Sequence, residues 1–589
     1  MLSGALLLVS FLSATIVNGY QLPFSTGKLN DANNEEQYWK LPNEIRRVAV
    51  IGAGPAGLVF TSTLVKEGFE VRLFERAPRP GGVWQYTDKL PIPVPMPNRP
   101  IETMAYIPDI PKVLPSSRIY QDGDDGLTVD WRIREHWAPS PAWRNMMTTL
   151  PHHLMTMPDS KYPENTPWKL NQMDVNRHIR QYASSVELND SDDDHSNVTS
   201  YWTRVERVEK IPGTEKRWTV TLRKMTPLRD GTVEVNWWQE QFDAVILGKD
   251  SENDAAFVPP IPGLQEWASL LPNSIFHSRH YRRPEHYAGK NVLVVGGGFS
   301  GVGIANDLMG HAKTVTISTR PTSHSPVIRA IRSMFHSNVS FVPEIKHFIN
   351  LPSNSLQNLQ EASFVCANGT TLTGFDVIIL STGHRNSFPF LVGFHNSTIK
   401  GREEPETAIA PIITDGTHMR SLHWTGHYID DPTLLFCNTI AYQGGATKYQ
   451  ALGTARVWSG TARLPSIPNM WKTYPGAANL LEELPFIGQT KTRLFVTWLN
   501  NEILEFGGSL VSPPPLNELM ELFQYHVAKN YPQSFIDLYK PFFPADKPRR
   551  EWDAYNGAEL SNRVLSHQDL KDVHGCRHPE HWADFTLRW

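Results

Sequence analysis

The fold of this chain is constrained most by two glycine-rich turns. Each turn lies between a strand-like run and a helix-like segment. The first is "RRVAVIGAGPAGL", from Arg46 to Leu58, and the second is "KNVLVVGGGFSGVG", from Lys290 to Gly303. In such a turn the glycines let the backbone bend sharply and approach a pyrophosphate, and the following helix directs N–H groups and a positive dipole at it. The repeat predicts an α/β fold with two Rossmann-like dinucleotide-binding domains.

The first turn is followed by an acidic residue at the end of the next strand. Gly52 allows the tight bend, Gly54 lets the backbone reach the phosphates, and Gly57 lets the helix pack close to the sheet. The strand "EVRLFE" ends at Glu75, where an acid binds a ribose diol, so this unit is predicted to hold an adenosine without a 2′-phosphate. The predicted cofactor-binding residues here are Gly52, Ala53, Gly54, Pro55, Ala56, Gly57 and Glu75.

The second turn leads to a strand, "TVTIST", that is followed by Arg320 instead of an acid. A carboxylate would repel a 2′-phosphate, whereas an arginine binds one through charge-assisted contacts. This turn is therefore predicted to prefer NADPH, although Arg320 as a solvated surface charge is the alternative. The predicted cofactor-binding residues here are Gly296, Gly298, Ser300, Gly301, Ser318 and Arg320. The two glycine-rich turns suit two different dinucleotides. One is FAD, which is held permanently, and the other is NADPH, which docks and reduces it.

Composition narrows the class of protein. A chain of 589 residues should form two or more domains, since single cores stop growing near ~250–300 residues. The net charge of −4 gives no basic field for nucleic acid. The three cysteines lie far apart, with no C-x-x-C pair and no metal-ligand spacing, which excludes a dithiol reductase of the thioredoxin-reductase type.

The amino terminus predicts entry into the secretory pathway. Residues 1–19 are mostly apolar and end in small residues before Tyr20, as in a cleavable signal peptide, with an uncleaved membrane anchor as the alternative. The expected location is the ER lumen, a vesicle or the exterior. Glycosylation is expected at one or more of five Asn-x-Ser/Thr sequons. They begin at Asn189, Asn197, Asn338, Asn368 and Asn396.

Further segments resemble the flavin-containing monooxygenase family over about three quarters of the chain. "RAPRPGGVW" is similar to the family's acid-then-GG-x-W segment, which implies that Gly82, Val83 and Trp84 lie along the flavin. "IPGLQEWASLLPNSIFHSRHY" resembles the family's identifying segment, which ends here in His277 and Tyr281. "DVIILSTGHRNSFPFL" and "AYQGGATKYQALGTARVWSG" resemble its linker and its late helix near the flavin, and "TPWKLNQMDVNRHIRQYA" resembles a helix that leads to the adenine region around Val205.

The resemblance implies a reaction. NADPH reduces FAD, dioxygen forms a flavin C(4a)-hydroperoxide, and one oxygen atom passes to a sulfur, nitrogen or carbonyl centre of a small organic substrate. The cofactor supplies the chemistry, and the protein positions it and excludes water. A flavin oxidase that releases hydrogen peroxide and a non-catalytic FAD-binding protein are the alternatives.

Some positions depart from the family pattern. Thr149, after Thr148, stands where the family has an asparagine beside the flavin, and Gly303 stands where it has an aspartate. The first linker carries Lys249 and Asp250 in place of a compact turn. Neutral drift and changed oxygen handling both remain open as explanations.

Four residues are candidates for direct roles beside the flavin. Thr149 and Arg279 are predicted catalytic residues, the latter by comparison with the arginine of Baeyer–Villiger enzymes. Thr148 and His277 are predicted cofactor contacts, although His277 could instead be hydrogen-bonded in the domain hinge. No metal site is predicted.

The motifs divide the chain into segments. The predicted order is a signal peptide (1–19), an arm (20–43), a first FAD-binding part (44–262) with an insertion (88–140), an NADPH-binding domain (263–378), a returning FAD-binding part (379–465) and a helical carboxyl-terminal extension (466–589). The insertion and the extension are expected to select the substrate, since the core motifs serve the cofactors.

Overall fold

The computed structural model describes most of the chain between residues 37 and 512. The described residues are 37–148, 152, 155–167, 169–189, 198–211, 213, 217–248, 255–320, 339–349, 359–400, 411–437, 444–472, 474 and 485–512. The predicted signal peptide, most of the arm and the last part of the extension lie outside them, as do Thr149, Lys249 and Asp250.

The described strands are numbered in chain order. They are β1 Arg47–Ile51, β2 Glu70–Phe74, β3 Ser116–Tyr120, β4 Thr199–Ser200, β5 Thr203–Lys210, β6 Trp218–Pro227, β7 Val233–Phe242, β8 Ala244–Leu247, β9 Ile275–His277, β10 Asn291–Val295, β11 Thr314–Thr319, β12 Val339–Pro343, β13 Ile345–Phe348, β14 Phe364–Cys366, β15 Thr371–Leu372, β16 Val377–Leu380 and β17 Leu434–Phe436.

The described α-helices are numbered in the same way. They are α1 Pro55–Lys66, α2 Val129–His136, α3 Gln172–Ser185, α4 Leu264–Leu270, α5 Phe299–Leu308, α6 Gly444–Trp458, α7 Ile467–Lys472 and α8 Pro485–Phe506. None of these helices combines the length and the apolar character needed to cross a bilayer.

Two parallel sheets form the centres of the two predicted nucleotide domains. The first has the order β17-β8-β1-β2-β4, and the second has the order β12-β11-β10-β16-β9. Their central strands, β1 and β10, are short apolar runs buried on both faces, as expected for parallel sheets covered by helices. The prediction of an α/β fold with two Rossmann-like units is confirmed.

The chain leaves the first sheet, builds the second and returns. β17 comes after every strand of the second sheet in the sequence, yet it pairs with β8 of the first. This order of strands is expected if the NADPH-binding domain is inserted within the FAD-binding domain. β16 ends at Leu380, two residues beyond the predicted domain end, because the strand continues to the carboxyl edge of its sheet.

The insertion packs on a smaller antiparallel sheet with the order β3-β7-β6-β5. The insertion supplies β3 and the short helix α2, which ends at His136. The strand β5 of this sheet begins three residues after β4 of the first parallel sheet. The insertion is thereby placed beside the first nucleotide unit.

The described part of the carboxyl-terminal extension is helical, as predicted. α8 contacts α6. The phenyl ring of Phe495 lies against Gly453, so close that a Cβ on Gly453 would be 2.4 Å from the ring's Cζ. α6 in turn packs on α1 of the first nucleotide unit. The extension therefore supports the FAD-binding half of the protein.

Candidate active site

A cleft opens at the carboxyl end of β1, at the first glycine turn. Most residues predicted for FAD line it. They are Gly52, Gly54, Pro55, Ala56, Glu75, Gly82, Val83, Trp84 and Val205. Two more, Ala53 and Gly57, belong to the same turn but are not among the lining residues.

The first turn is tight because the backbone leaves no room for side chains. A Cβ on Gly57 would lie 1.8 Å from the carbonyl oxygen of Gly52, and one on Gly248 would lie 2.8 Å from the α-carbon of Gly57. Glycine is therefore required where α1 crosses the end of the sheet. This close approach brings the amino end of α1 to the cleft.

Glu75 is held at the end of β2 by two backbone N–H groups. Its Oε2 accepts from the N–H of Ala53 at 2.7 Å, and its Oε1 accepts from the N–H of Ala77 at 2.8 Å. A carboxylate oxygen can accept more than one hydrogen bond, so these two contacts are compatible with bonds to the hydroxyls of a ribose. The buried carboxylate thus fixes the turn and faces the place predicted for the adenosine.

Both glycine turns fit a dinucleotide phosphate. α1 begins after Gly54 and α5 begins after Gly298, and neither helix has a side-chain cap or an acidic residue in its first turn. The first N–H groups of a helix have no partner within it, so uncapped amino ends can donate to phosphate oxygens. FAD at the first turn and NADPH at the second agree with these donors.

The second turn repeats the geometry of the first. A Cβ on Gly301 would lie 1.9 Å from the carbonyl oxygen of Gly296. Gly296 has a φ of 107° and lies against the carbonyl of Ser381, the residue that follows the neighbouring strand β16. Ser300 is half-buried in the first turn of α5.

The two predicted 2′-phosphate ligands differ in placement. The Arg320 side chain is 72% exposed, and its Nε lies 3.7 Å from a carboxylate oxygen of Glu344. Ser318 is buried, and its hydroxyl donates to the carbonyl of Pro343 at 3.0 Å. Ser318 therefore joins β11 to β12 instead of facing a ligand, because its side chain points into the sheet edge.

His277 binds the backbone through both ring nitrogens. Its Nδ1 accepts from the N–H of Arg279 at 3.2 Å, and its Nε2 lies 3.1 Å from the carbonyl of Gly383, to which it donates. Burial above all, with the neighbouring His384 and Arg279, holds the pKa of His277 well below its ordinary value, so the ring is neutral. The ring joins β9 to the loop after β16, an arrangement that agrees with the hinge alternative.

Arg279 and Thr148 also lie outside the lining of the cleft. Arg279 is buried, its Nη2 is 3.5 Å from the carbonyl of Pro139, and it borders a separate small pocket with residues of the insertion. Thr148 is fixed to Leu170, whose N–H donates to the Thr148 hydroxyl at 3.1 Å. Neither residue is among those that line the cleft.

Residues that the sequence patterns did not identify complete the cleft. They include Arg76, Gln85, Tyr106, Trp137, Ala138, Ser140, Met155, Met157 and Arg204. Tyr106 donates its hydroxyl to the carbonyl of Val205 at 2.7 Å, and Ser140 donates to the carbonyl of Gln85 at 2.8 Å. Both side chains come from the insertion, in which no sequence motif marked them. The insertion therefore contributes residues to the cofactor cleft.

Among the described residues, no group of three or more His, Cys, Asp or Glu side chains is arranged to hold a metal ion.

Comparisons with known proteins agree with this geometry. A family model described as flavin-binding monooxygenase-like matches residues 121–354, and one described as an NAD(P)-binding Rossmann-like domain matches residues 50–101. The flavin-containing monooxygenase iboF of Amanita muscaria is 36% identical over 520 residues, which are 83% of this chain and 95% of the relative. The N-oxide-forming dimethylaniline monooxygenase 2 of Rattus norvegicus is 23% identical over 79% of this chain and 83% of its own length.

A solved structure shares the fold. The S-allyl-L-cysteine S-oxygenase from Allium sativum matches with a TM-score of 0.54 at 20% identity, covering 88% of this chain and 99% of that one. The predicted cofactors FAD and NADPH and the predicted monooxygenase activity on a small substrate are confirmed by the family match. By its sequence and its two nucleotide turns, this chain belongs to the flavin-containing monooxygenase family.

Proposed function

We propose that this monooxygenase transfers one oxygen atom to a nucleophilic sulfur or nitrogen of a small organic substrate, and not to a carbonyl carbon. The observation that carries the proposal is the distribution of charge in the cleft. Among its described lining residues, the charged side chains are Glu75, Arg76 and Arg204, all beside β2 and β5 at the adenosine end.

Every other described residue that lines the cleft has an uncharged side chain. Trp84, Met155, Met157 and Thr447 are among them. An oxidant that attacks a carbonyl must be anionic, and a cationic side chain would stabilise it. Arg279 was the sequence candidate for that cation, and it borders a different pocket. A neutral thioether or amine requires no such charge.

The described residues act by binding and by excluding water. When bound, FAD supplies the transfer of electrons from NADPH to dioxygen and of oxygen to the substrate. Glu75 and the uncapped end of α1 would hold its adenosine and phosphates. Trp84 and the two methionines would keep the reacting end apolar, which limits water and the loss of reduced oxygen as peroxide.

The experiment follows labelled dioxygen. The FAD-loaded protein is supplied with NADPH and ¹⁸O₂ together with a thioether, a tertiary amine or a cyclic ketone. We expect label in a sulfoxide or an N-oxide, and no lactone from the ketone. A labelled lactone formed at a comparable rate would overturn the preference for sulfur and nitrogen. Peroxide produced in the amount of NADPH consumed, with every substrate, would support the oxidase alternative instead.

We also propose that the protein enters the secretory pathway and carries an N-linked glycan at Asn368. The apolar amino terminus supports the first part. Asn368 is exposed in the turn between β14 and β15, where its sequon is accessible. Protein from the native host should begin at Tyr20 and lose mass on glycosidase treatment, and Asn368→Gln should remove that loss. An intact Met1, or a mass that glycosidase does not change, would contradict the respective part.

A further inference from the structure

A second pocket, smaller than the cofactor cleft, lies between the insertion and the hinge of the two domains. The insertion supplies most of its lining, and Ala256 of the first linker and Arg279 after β9 supply the rest. The lining residue Asn98 ties the insertion to the linker, because its amide donates to the carbonyl of Val258 at 2.6 Å and accepts from the Val258 N–H at 2.9 Å. The walls of this pocket are therefore fixed to each other.

The small pocket adjoins the cofactor cleft. Ala105 lines the pocket, and Tyr106, the next residue, lines the cleft. Nη2 of Arg279 lies 3.5 Å from the carbonyl of Pro139, whose two neighbours in the chain line the cleft. A molecule bound beside the flavin is therefore close to the small pocket.

Two arginines give the small pocket a positive charge. Arg99 and Arg279 line it, and none of its described lining residues is acidic. Burial, together with the charges of Arg279 and Arg282, lowers the pKa of the adjacent His280 to about 4. Positive charge thus acts on this part of the hinge, and we call the cavity the arginine pocket.

Arg99 is the cation that a ligand can reach. Its side chain is half-buried, so solvent has access to it. Among the described residues, its guanidinium has no hydrogen-bond acceptor, no acidic partner and no aromatic ring against it. The N–H donors of Arg99 are therefore available to an anionic group that enters the arginine pocket.

The size and the lining of the arginine pocket favour a carboxylate. Its volume is about 30 Å³, and roughly 10–15 Å³ of such space holds one water molecule. A carboxylate, with two oxygens, fits this volume better than a phosphate group with four. Arginine binds a carboxylate through two parallel hydrogen bonds, and apolar neighbours such as Ile92 and Met104 lower the local dielectric constant and strengthen the pair.

We infer that the arginine pocket receives a carboxylate of the substrate, so that the protein oxygenates the sulfur or nitrogen of a small organic acid. Arg99 binds the carboxylate, and the adjoining cleft holds the atom that is oxygenated. The inference rests on the proposed transfer of oxygen to sulfur or nitrogen, and it adds the class of substrate.

The first test measures binding without oxygen transfer. The FAD-loaded protein is titrated by calorimetry with pentanoate and with pentanamide, which has the same shape and no charge. We expect the natural protein to bind pentanoate more tightly than pentanamide. In Arg99→Gln, pentanoate should bind about tenfold more weakly because a charge-assisted contact is lost, and the Kd of pentanamide should stay within about twofold. Equal affinities of the natural protein for the two compounds would overturn the inference.

The second test uses methylthiopropanoate, the thioether counterpart of pentanoate, and its amide. With NADPH and dioxygen, Arg99→Gln should raise the KM for the acid about tenfold, with kcat and the KM for the amide nearly unchanged. If both compounds give sulfoxide with equal KM in the natural protein, the inference fails and the proposed oxygen transfer stands. If neither is oxygenated but pentanoate binding still depends on Arg99, the proposed oxygen transfer fails and the carboxylate site stands.

A matched variant separates a local contact from a general effect of charge. Arg118 is exposed on β3 of the same insertion and does not line the arginine pocket. Arg118→Gln removes the same charge and should leave the affinity for pentanoate unchanged, and an equal loss in this variant would overturn the inference. So would an Arg99→Gln variant that binds NADPH more weakly and pentanoate normally, because the pocket would then serve a phosphate of the cofactor.

Discussion

The indole of Trp143 lies directly against Gly303 on α5. A Cβ on Gly303 would be 3.0 Å from Cζ2 and 3.1 Å from Cη2 of that indole, and Trp143 also packs edge-on against Tyr281 at 6.1 Å between centroids. The absence of a side chain at Gly303, where the family resemblance implied an aspartate, is thus matched by a neighbouring ring that fills the space. In this chain the indole therefore leaves little room for a side chain at position 303.

This contact predicts that Gly303→Asp harms the NADPH domain. The carboxylate would displace the indole or shift α5, at a cost of about 1–3 kcal/mol, and NADPH should bind more weakly because α5 presents the phosphate-binding end. Thermal unfolding and an NADPH titration measure both effects. Adding Trp143→Ala should restore most of the NADPH affinity, and a Gly303→Asp variant that behaves like the natural protein would refute the packing argument.

Replacing the equivalent glycine of each turn by alanine should impair the binding of a different cofactor. In Gly57→Ala the new Cβ would lie 1.8 Å from the carbonyl of Gly52, and in Gly301→Ala it would lie 1.9 Å from that of Gly296. We expect Gly57→Ala to be purified without FAD. Gly301→Ala should retain FAD but fail to be reduced by NADPH in the absence of oxygen, as followed by the flavin absorbance. If both variants lost the same cofactor, the assignment of the two turns would be wrong.

The turns could be predicted from sequence because their glycines impose local geometry. A Cβ on Gly57 or Gly301 would clash with a backbone carbonyl oxygen, so only glycine fits at these positions. The spacing of the glycines in the sequence therefore reveals the turn. The side chains of Ser318 and His277 could not be placed in this way. Their partners, Pro343 and Gly383, are far along the chain and are brought near only by the completed sheet.

The adenosine end of the cleft was predicted only in part, for a similar reason. Glu75 follows a strand at a fixed distance from the glycines, so its place was evident. Arg204 becomes part of the cleft only when the insertion folds back and Glu135 fixes the guanidinium. A charged residue in a strand gives no sign of such a partner in the sequence alone.

Replacing the exposed Arg320 should reduce the preference of the protein for NADPH over NADH. We expect Arg320→Ala to weaken NADPH at least about tenfold, because a charge-assisted contact to the 2′-phosphate is lost, and to leave NADH nearly unchanged. Rapid-mixing measurements of flavin reduction at varied NADPH and NADH give both affinities. As a control, Glu344→Gln removes the carboxylate 3.7 Å from Arg320 and should not weaken NADPH. An unchanged preference in Arg320→Ala would rule out Arg320 as the phosphate ligand.

Glu502 on α8 should make the folding stability of the protein depend on pH. The side chain is 9% exposed, and its Oε2 accepts from the N–H of Arg463 at 2.8 Å. Burial raises the pKa of Glu502 to about 7, against about 4.3 in an unfolded chain. The hydrogen bond from Arg463 opposes this shift, and the charge of Glu505 adds to it. Between these values the folded protein binds more protons than the unfolded chain, so its stability falls as the pH rises through this window and stays reduced above it.

Replacing Glu502 by Gln removes this titration, because the amide stays neutral and its oxygen can still accept from Arg463. Relative to the natural protein, Glu502→Gln should gain on the order of 2 kcal/mol at about pH 8 and little at about pH 5. Denaturant unfolding followed by tryptophan fluorescence measures the difference, since Trp498 lies on the same helix. Glu505 is exposed, so Glu505→Gln should reproduce only a small part of the gain. A gain of the same size at both pH values would mean that packing of the amide, and not the ionisation of a buried carboxyl, accounts for the effect.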